Sequence, residues 1–400
     1  MHNIVYRLLK TTPLTFILSL IALSLSSLAQ ANSVQIAPPP DLAVKAYLLK
    51  DFNSGHVIAA QNSNMRIEPA SLTKIMTAYL SFKALKNNHL SLTQTLPVSE
   101  IAWKVEGSKM FIEPQKSNCD AHVEKCLPTV DELLHGMIIV SGNDASVALA
   151  EGIASTEAQF AEMMNKEAQR LGMKNTHYMN ATGLPDAQHY TTAEDLAILA
   201  TALIHDFPDQ YQRLYSVKEY TYNKITQPNR NRLLWLDPNV DGMKTGHTES
   251  AGYCLISSAK RDGIRRISIV LGAATDAARA SESQKLLNYG FQFFDSKLVY
   301  KQGQSINQLK VWKGNENQVA ITVSDDLFLT VAKGEYANVK ATMSTTQPLI
   351  APIKKGQVVG NIKFTLNGNV IHEHNLVAAK SIEAAGILGR AWDSIKLLLH

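Results

Sequence analysis

Ser71 and Lys74, in the stretch PASLTKIMTAYL (residues 69–80), stand three residues apart among apolar neighbours. On a helix that spacing sends both side chains off one face, within reach of a proton transfer. A serine hydroxyl is a weak nucleophile until a neighbouring base takes its proton during attack. A lysine serves as that base only when neutral, which requires burial or nearby positive charge to lower its pKa. The tetrad alone is not specific, since SSAK at Ser257–Lys260 repeats it. Two more short strings follow in order: SGN at 141–143 and KTG at 244–246.

The surrounding segments say which elements hold these strings. Pro69 suits a first helical turn, and Ile75, Met76, Tyr79, Leu80 and Phe82 recur at helical spacing, which predicts a helix start at Ser71. Residues 129–153, TVDELLHGMIIVSGNDASVALAEGI, read as two helices interrupted by the polar, turn-prone SGND. A helical block EAQFAEMMNKEAQRLG and a Gly/Pro/Asn loop precede a helix capped by Thr191 or Thr192, with Asp195 in its first turn, where an acid already has a structural reason to be. The run from NVDGMKTGHT onward alternates like a strand meander, with KTG at a strand edge and the second S-x-x-K in mid-strand, out of context. A hairpin around NSG and a helix with Leu286, Leu287, Phe291 and Phe294 as its core stripe complete an α+β pattern over 41–295. Beyond Ser296, short alternating runs with frequent turns predict a small all-β domain, 298–380. Residues 381–400 return to helical spacing, with Leu388, Trp392, Ile395 and Leu399 on one face and Arg390, Asp393 and Lys396 on the other. Such a helix either lies in a bilayer interface or docks on its own domain.

The chain has 400 residues, 45% hydrophobic and 18% charged, a globular composition that excludes disordered and fibrous classes. Net charge is +4, of which Arg7 and Lys10 supply two, too little to argue for nucleic acid. Those two charges precede an apolar run ending in Ala29-Gln30-Ala31, the pattern of a secretory signal over 1–31 cleaved before Asn32. The mature chain is therefore expected outside the cytoplasm, where disulfides persist. Cys119 and Cys126 are expected to bridge, closing a short loop worth about 2–3 kcal/mol on the chain-entropy model. Cys254 reads as a buried strand residue. No Cys/His spacing suggests zinc, and the two histidines of HEH (372–374) read as solvated.

In this order and context, SLTK, SGN and KTG resemble the S-x-x-K, S-x-N and K-T-G signature of penicillin-binding proteins and serine β-lactamases. GLPDAQHYTTAEDLA, NRNRLLW, VDGMKTGHT and ESQKLLNYGFQFF look like segments of the type-5 penicillin-binding proteins, the periplasmic D-alanyl-D-alanine carboxypeptidases. The similarity spans essentially the whole mature chain. It implies a penicillin-binding α+β domain, a β-sandwich stalk and a peripheral anchor on the inner-membrane surface. It also implies removal of the last D-alanine of peptidoglycan pentapeptide stems through an acyl-enzyme on Ser71, acylation by β-lactams, no metal or organic cofactor, and room for a homodimer.

By the same resemblance Lys74 is the base, with Lys244 the source of positive charge beside it. Ser141 relays a proton to the leaving amine, and Asn143 holds the substrate amide and orients Lys74. The backbone N–H groups of Ser71 and His247 form the oxyanion hole. Thr245 and Gly246 of the KTG strand, with Lys244 and Arg230, take the substrate carboxylate; Arg279 is a second cation for it. Ser108 touches substrate or Lys74, and Asp195 acts on deacylation through His247. One segment, EPQKSNCDAHVEKCLP (113–128), is longer than the family pattern. A class A β-lactamase would carry E-x-x-L-N between Asp186 and Leu203, and this chain has no such string. A DD-endopeptidase shares every motif. A non-catalytic wall-binding scaffold predicts decayed motifs, and all three stand intact.

Overall fold

A computed structural model of the protein describes residues 37–114 and 127–398. The expected signal segment, the Cys119–Cys126 pair and Leu399 lie outside the described residues. The chain opens with β1 (Ala46–Asp51) and β2 (Val57–Gln61), an antiparallel pair across the NSG turn. A helical group follows: α1 (Lys74–Lys86), α2 (Glu100–Lys104), α3 (Val130–Ile139), α4 (Asn143–Ala154), α5 (Glu157–Leu171), α6 (Ala193–Asp206) and α7 (Pro208–Leu214). After a small hairpin, β3 (Glu219–Tyr222) and β4 (Ile225–Pro228), and one turn of helix, α8 (Leu233–Leu236), the chain returns to the sheet. There it adds β5 (Val240–Gly242), β6 (Thr245–Thr248), β7 (Gly252–Arg261) and β8 (Ile264–Ala273), and then α9 (Asp276–Phe293). The sheet order is β2-β1-β8-β7-β5, with β6 also paired to β7.

Strand alternation explains why helices cover both faces of this sheet. On β1, Ala46 and Leu48 join the core beneath the helical group, while Tyr47 and Leu49 join the core beneath α9 with Leu286 and Leu287. The helix ends follow local rules. Thr129 forms a capping box with Glu132 ahead of α3, and α5 stops at Gly172 in the left-handed region. Thr192, rather than Thr191, caps α6.

Two expectations shift. The helix after Pro69 begins with a 3-10 turn, Ala70–Thr73, and becomes α-helical only at Lys74. Phe294, expected in the last helical stripe, instead opens β9 (Phe294–Tyr300), because α9 runs into a strand with no linker. Residues 296–297, between the two expected domains, thus lie within β9.

The remaining strands are β10 (Asn307–Trp312), β11 (Gln318–Thr322), β12 (Leu327–Ala332), β13 (Lys340–Thr345), β14 (Leu349–Ile350), β15 (Val358–Leu366) and β16 (Asn369–Ala378). They form a six-stranded sheet, β13-β15-β16-β11-β10-β14, and a β9–β12 ribbon around a core that includes Val319, Ile321, Leu329, Val359 and Leu376. The molecule is therefore an α+β domain followed by an all-β one. A last helix, α10 (Ile387–Leu398), leaves its apolar side chains exposed.

Candidate active site

The three strings meet at one cavity. SLTK enters from the 3-10 turn and the first residue of α1, SGN from the turn between α3 and α4, and KTG from the edge strand β6. Each junction carries a non-glycine residue in the left-handed region: Ala70 (φ 48°) before Ser71, Ser141 itself (φ 63°), and Met243 (φ 82°) before Lys244. Backbone held there costs on the order of 1–3 kcal/mol per residue and persists where surrounding structure over-determines it. Two glycines permit the close packing. A Cβ on Gly246 would stand 3.1 Å from the Pro69 carbonyl oxygen, and one on Gly183 would overlap that of Ala70.

Lys74 is buried at 1% exposure. Its Nζ lies 2.7 Å from Asn143 Oδ1, 2.6 Å from the Thr182 carbonyl oxygen and 2.9 Å from Ser71 Oγ. The Asn143 amide donates through Nδ2 to the Glu106 carbonyl at 2.6 Å, which fixes its oxygen toward the amine. A neutral amine has two N–H bonds and one lone pair. Both carbonyl-type oxygens can only accept, so they take the two hydrogens and leave the lone pair facing the Ser71 hydroxyl. Burial, followed by the positive charge of Arg230, pulls the Lys74 pKa down to about 7, against upward pulls from Asp144 and Glu157.

Lys244, 3% exposed, is also driven well below the usual amine range, by burial first and then by Lys74, Arg230 and Arg279. The sequence reading made Lys244 the fixed charge beside Lys74; the structure gives that part to Arg230. The physical reason is that a guanidinium keeps its proton when buried, whereas an ammonium sheds it. The Lys244 backbone pairs with Ile256 at 3.1 and 2.9 Å, and its Nζ donates to the Thr245 carbonyl at 3.2 Å.

Ser71, Ser108, Ser141, Arg230, Thr245, Gly246, His247 and Arg279 border a cavity of about 500 Å³ together with Arg232, Tyr253 and Asp276. Arg230 is held below its ordinary pKa by burial. Arg279 donates to the Gly246 carbonyl at 3.2 Å and pairs with Asp276, and its guanidinium lies 5.4 Å from the Tyr253 ring. The His247 ring lies 3.9 Å from that of Tyr253, its cross-strand neighbour, with the two planes tilted by 31°.

Asp195 is engaged elsewhere: its carboxylate accepts from Asn175 N–H at 2.8 Å and Thr176 Oγ1 at 2.7 Å, tying the 175–176 turn to α6. SSAK sits in mid-β7 with Ser257 buried, and Cys254 is buried on the same strand. His372 and His374 stack at 6.2 Å on β16, and no cluster of three potential metal ligands occurs among the described residues.

Beyond Arg232 and Tyr253 on the cavity wall, three groups are not singled out by the sequence. Asp144, directly after SGN, accepts N–H bonds from Met110 (3.0 Å), Phe111 (2.8 Å), Ile112 (3.2 Å) and Ala145 (2.9 Å), pinning the loop that carries Ser108. The Thr182 carbonyl is backbone and leaves no residue-type trace. Asp276 reads as an ordinary first-turn acid. Only Asp144 had a signal, its adjacency to the motif.

Comparison with known proteins agrees with this geometry. The family model described as D-alanyl-D-alanine carboxypeptidase matches residues 33–275, and that of the penicillin-binding protein 5 C-terminal domain matches 294–384. The chain is 41% identical over 374 residues to D-alanyl-D-alanine carboxypeptidase DacC of Escherichia coli, covering 92% of this chain and 91% of the relative. Penicillin-binding protein 5 of Haemophilus influenzae superposes with a TM-score of 0.81 at 40% identity, covering 87% of this chain and 99% of that one. The ampicillin-bound form of penicillin-binding protein D2 from Listeria monocytogenes gives 0.56 at 32% identity, covering 64% of this chain and 100% of that one. With a motif-bearing cavity, a C-terminal β domain and near-full-length relatives all in agreement, the chain belongs to the D-alanyl-D-alanine carboxypeptidase family of penicillin-binding proteins.

Proposed function

We propose that the chain is a serine D-alanyl-D-alanine carboxypeptidase that trims the terminal D-alanine from peptidoglycan pentapeptide stems. The observation that carries this reading is the buried Lys74 amine, 2.9 Å from Ser71 Oγ beside a cationic cavity. Ser71 Oγ attacks the penultimate D-alanine carbonyl while Lys74 takes its proton. The amide C–N bond breaks, Ser141 passes a proton to the departing amine, and water then hydrolyses the ester. The backbone N–H groups of Ser71 and His247 hold the developing oxyanion.

Arg230, Arg279 and Thr245 take the substrate's terminal carboxylate, each charge-assisted hydrogen bond contributing roughly 1.5–3 kcal/mol. A β-lactam presents the same carbonyl and carboxylate, and the ampicillin-bound relative supports acylation of Ser71. DD-endopeptidase and slow β-lactamase activity use the same groups. The signal-like leader supports a periplasmic site of action. The exposed apolar face of α10 supports attachment to the inner-membrane surface, and no helix among the described residues is long and apolar enough to cross a membrane.

The test is mature protein treated with labelled penicillin, followed by assay of free D-alanine from pentapeptide. We expect one lasting label on Ser71, lost in Ser71→Ala, and D-alanine release that the label blocks. Absence of label would remove the enzymatic reading, and rapid loss of label would replace it with a β-lactamase.

A further inference from the structure

The cavity holds more positive charge than one terminal carboxylate can use. Three guanidiniums border it, Arg230, Arg232 and Arg279, against a single acid, Asp276. Asp276 Oδ1 is taken by Arg279, and its other oxygen stands 3.6 Å from Arg232 Nη1, beyond hydrogen-bond distance. Arg279 is buried and further committed to the Gly246 carbonyl. Arg232 differs: its side chain is 55% exposed, and its guanidinium makes no hydrogen bond among the described residues. One acid against three cations leaves two uncompensated, and a substrate's C-terminal carboxylate offsets one. The remainder is Arg232, exposed and beside Asp276 on the cavity wall.

We infer that Arg232 is a specificity-determining residue that favours leaving groups carrying a second carboxylate. The inference rests on the carboxypeptidase reading of the same cavity. Chemistry at Ser71 is unchanged: the Oγ–acyl bond forms, the amide C–N bond breaks, the hydroxyl proton ends on the leaving amine, and water later splits the ester. Free D-alanine has one carboxylate. A second stem peptide, released from a cross-link through its amine, brings more than one, so cross-linked stems are the substrate class Arg232 fits.

The experiment compares diacetyl-L-Lys-D-Ala-D-Glu with its D-Gln counterpart, which differs only in the second charge, and reads kcat/KM from the released amino acid. Wild-type protein should prefer the D-Glu peptide by about fivefold, the scale of a half-exposed ion pair. R232Q should bring that ratio to about one, and R232K should keep part of it. A wild-type ratio at or below one, or a ratio that R232Q leaves in place, overturns the inference. Penicillin labelling of Ser71 checks that R232Q keeps its site; if it does not, the wild-type ratio and R232K decide. Diacetyl-L-Lys-D-Ala-D-Ala run in parallel separates the two failures. No D-alanine release from it removes the carboxypeptidase reading, whereas release with a flat D-Glu/D-Gln ratio removes only the role of Arg232.

Discussion

Lys74 Nζ faces two oxygens that can only accept and a hydroxyl that accepts or donates. That set of partners satisfies the amine with two hydrogens or three, so burial and the nearby Arg230 charge are what favour the free base. Its pKa of about 7 is lowered from the lysine value, so the neutral, proton-accepting form prevails above pH 7 and is lost below it. The second-order rate of penicillin acylation should therefore fall as pH drops through 7, approaching tenfold per unit. A profile flat down to pH 5 would contradict Lys74 as the base. Lys74→Arg keeps a cation but cannot give up its proton, and should slow acylation by at least about 100-fold, the usual scale of general-base catalysis. Labelling kinetics at pH 8, with thermal unfolding as a control for folding, decide this. Ser71 and Lys74 were legible because hydroxyl and amine at one-turn spacing are chemical types with a sequence signature. Asp144 and Asp195 show where that stops. Both are first-turn acids, and sequence cannot say that one braces the loop beside the site while the other ties down the 175–176 turn.

The 3-10 turn, the α3–α4 turn and β6 hold the chemistry only because other segments pin them. The loop at 108–112 is the clearest case. The Ser108 carbonyl accepts the Asn143 N–H at 2.6 Å, and both Asp144 oxygens collect N–H bonds from residues 110–112. Asp144→Asn is nearly isosteric yet electrically wrong. One oxygen becomes an NH2 group facing N–H donors, so up to two buried hydrogen bonds are lost and their donors left unsatisfied, at roughly 1–3 kcal/mol each. We expect the denaturant midpoint to fall by an amount equivalent to about 2–4 kcal/mol. Penicillin acylation should slow as well, because Asn143 loses its seat. Wild-type stability in this variant would mean the loop is held by other contacts. Helices α3 and α4 were readable from two apolar runs broken by the polar SGND, and the Thr129–Glu132 capping box found in the structure fits that start. The 3-10 start at Ala70 was not: Pro69 suits either helix type, and only packing against Gly183 and Gly246 selects the tighter turn.

Across the whole molecule, one buried polar network seats the β domain on the catalytic sheet. Asp51 and Arg266, neighbours on β1 and β8, pair with no solvent exposure, and Ser296 of β9 bridges both, at 2.7 Å to Asp51 and 2.8 Å to Arg266. Thr330 of β12 closes the group through Ser296 at 2.7 Å and Ser54 at 2.6 Å. Alternating hydropathy gave away the β domain, but serine and threonine carry no pattern that marks them as buried across a junction, so its attachment could not be read. The same domain carries α10. Asp393, on the polar face of α10, accepts the Lys313 N–H at 2.6 Å, which turns that face toward the β domain. Leu388, Trp392, Ile395 and Leu398 are left exposed. Full burial of such a side chain contributes about 1.5–3 kcal/mol, so four on one face suffice for measurable partition into a bilayer interface even when each inserts partway. Protein ending at residue 386 should therefore stay in the supernatant when spun with vesicles containing anionic lipid, while the mature full-length chain sediments with them. Both forms should keep the same kcat/KM, within about twofold, on a soluble peptide, because α10 contributes nothing to the cavity. Equal sedimentation of the two would move the anchor elsewhere, and a Trp392→Ala chain that binds as tightly as its parent would deny the apolar face its part.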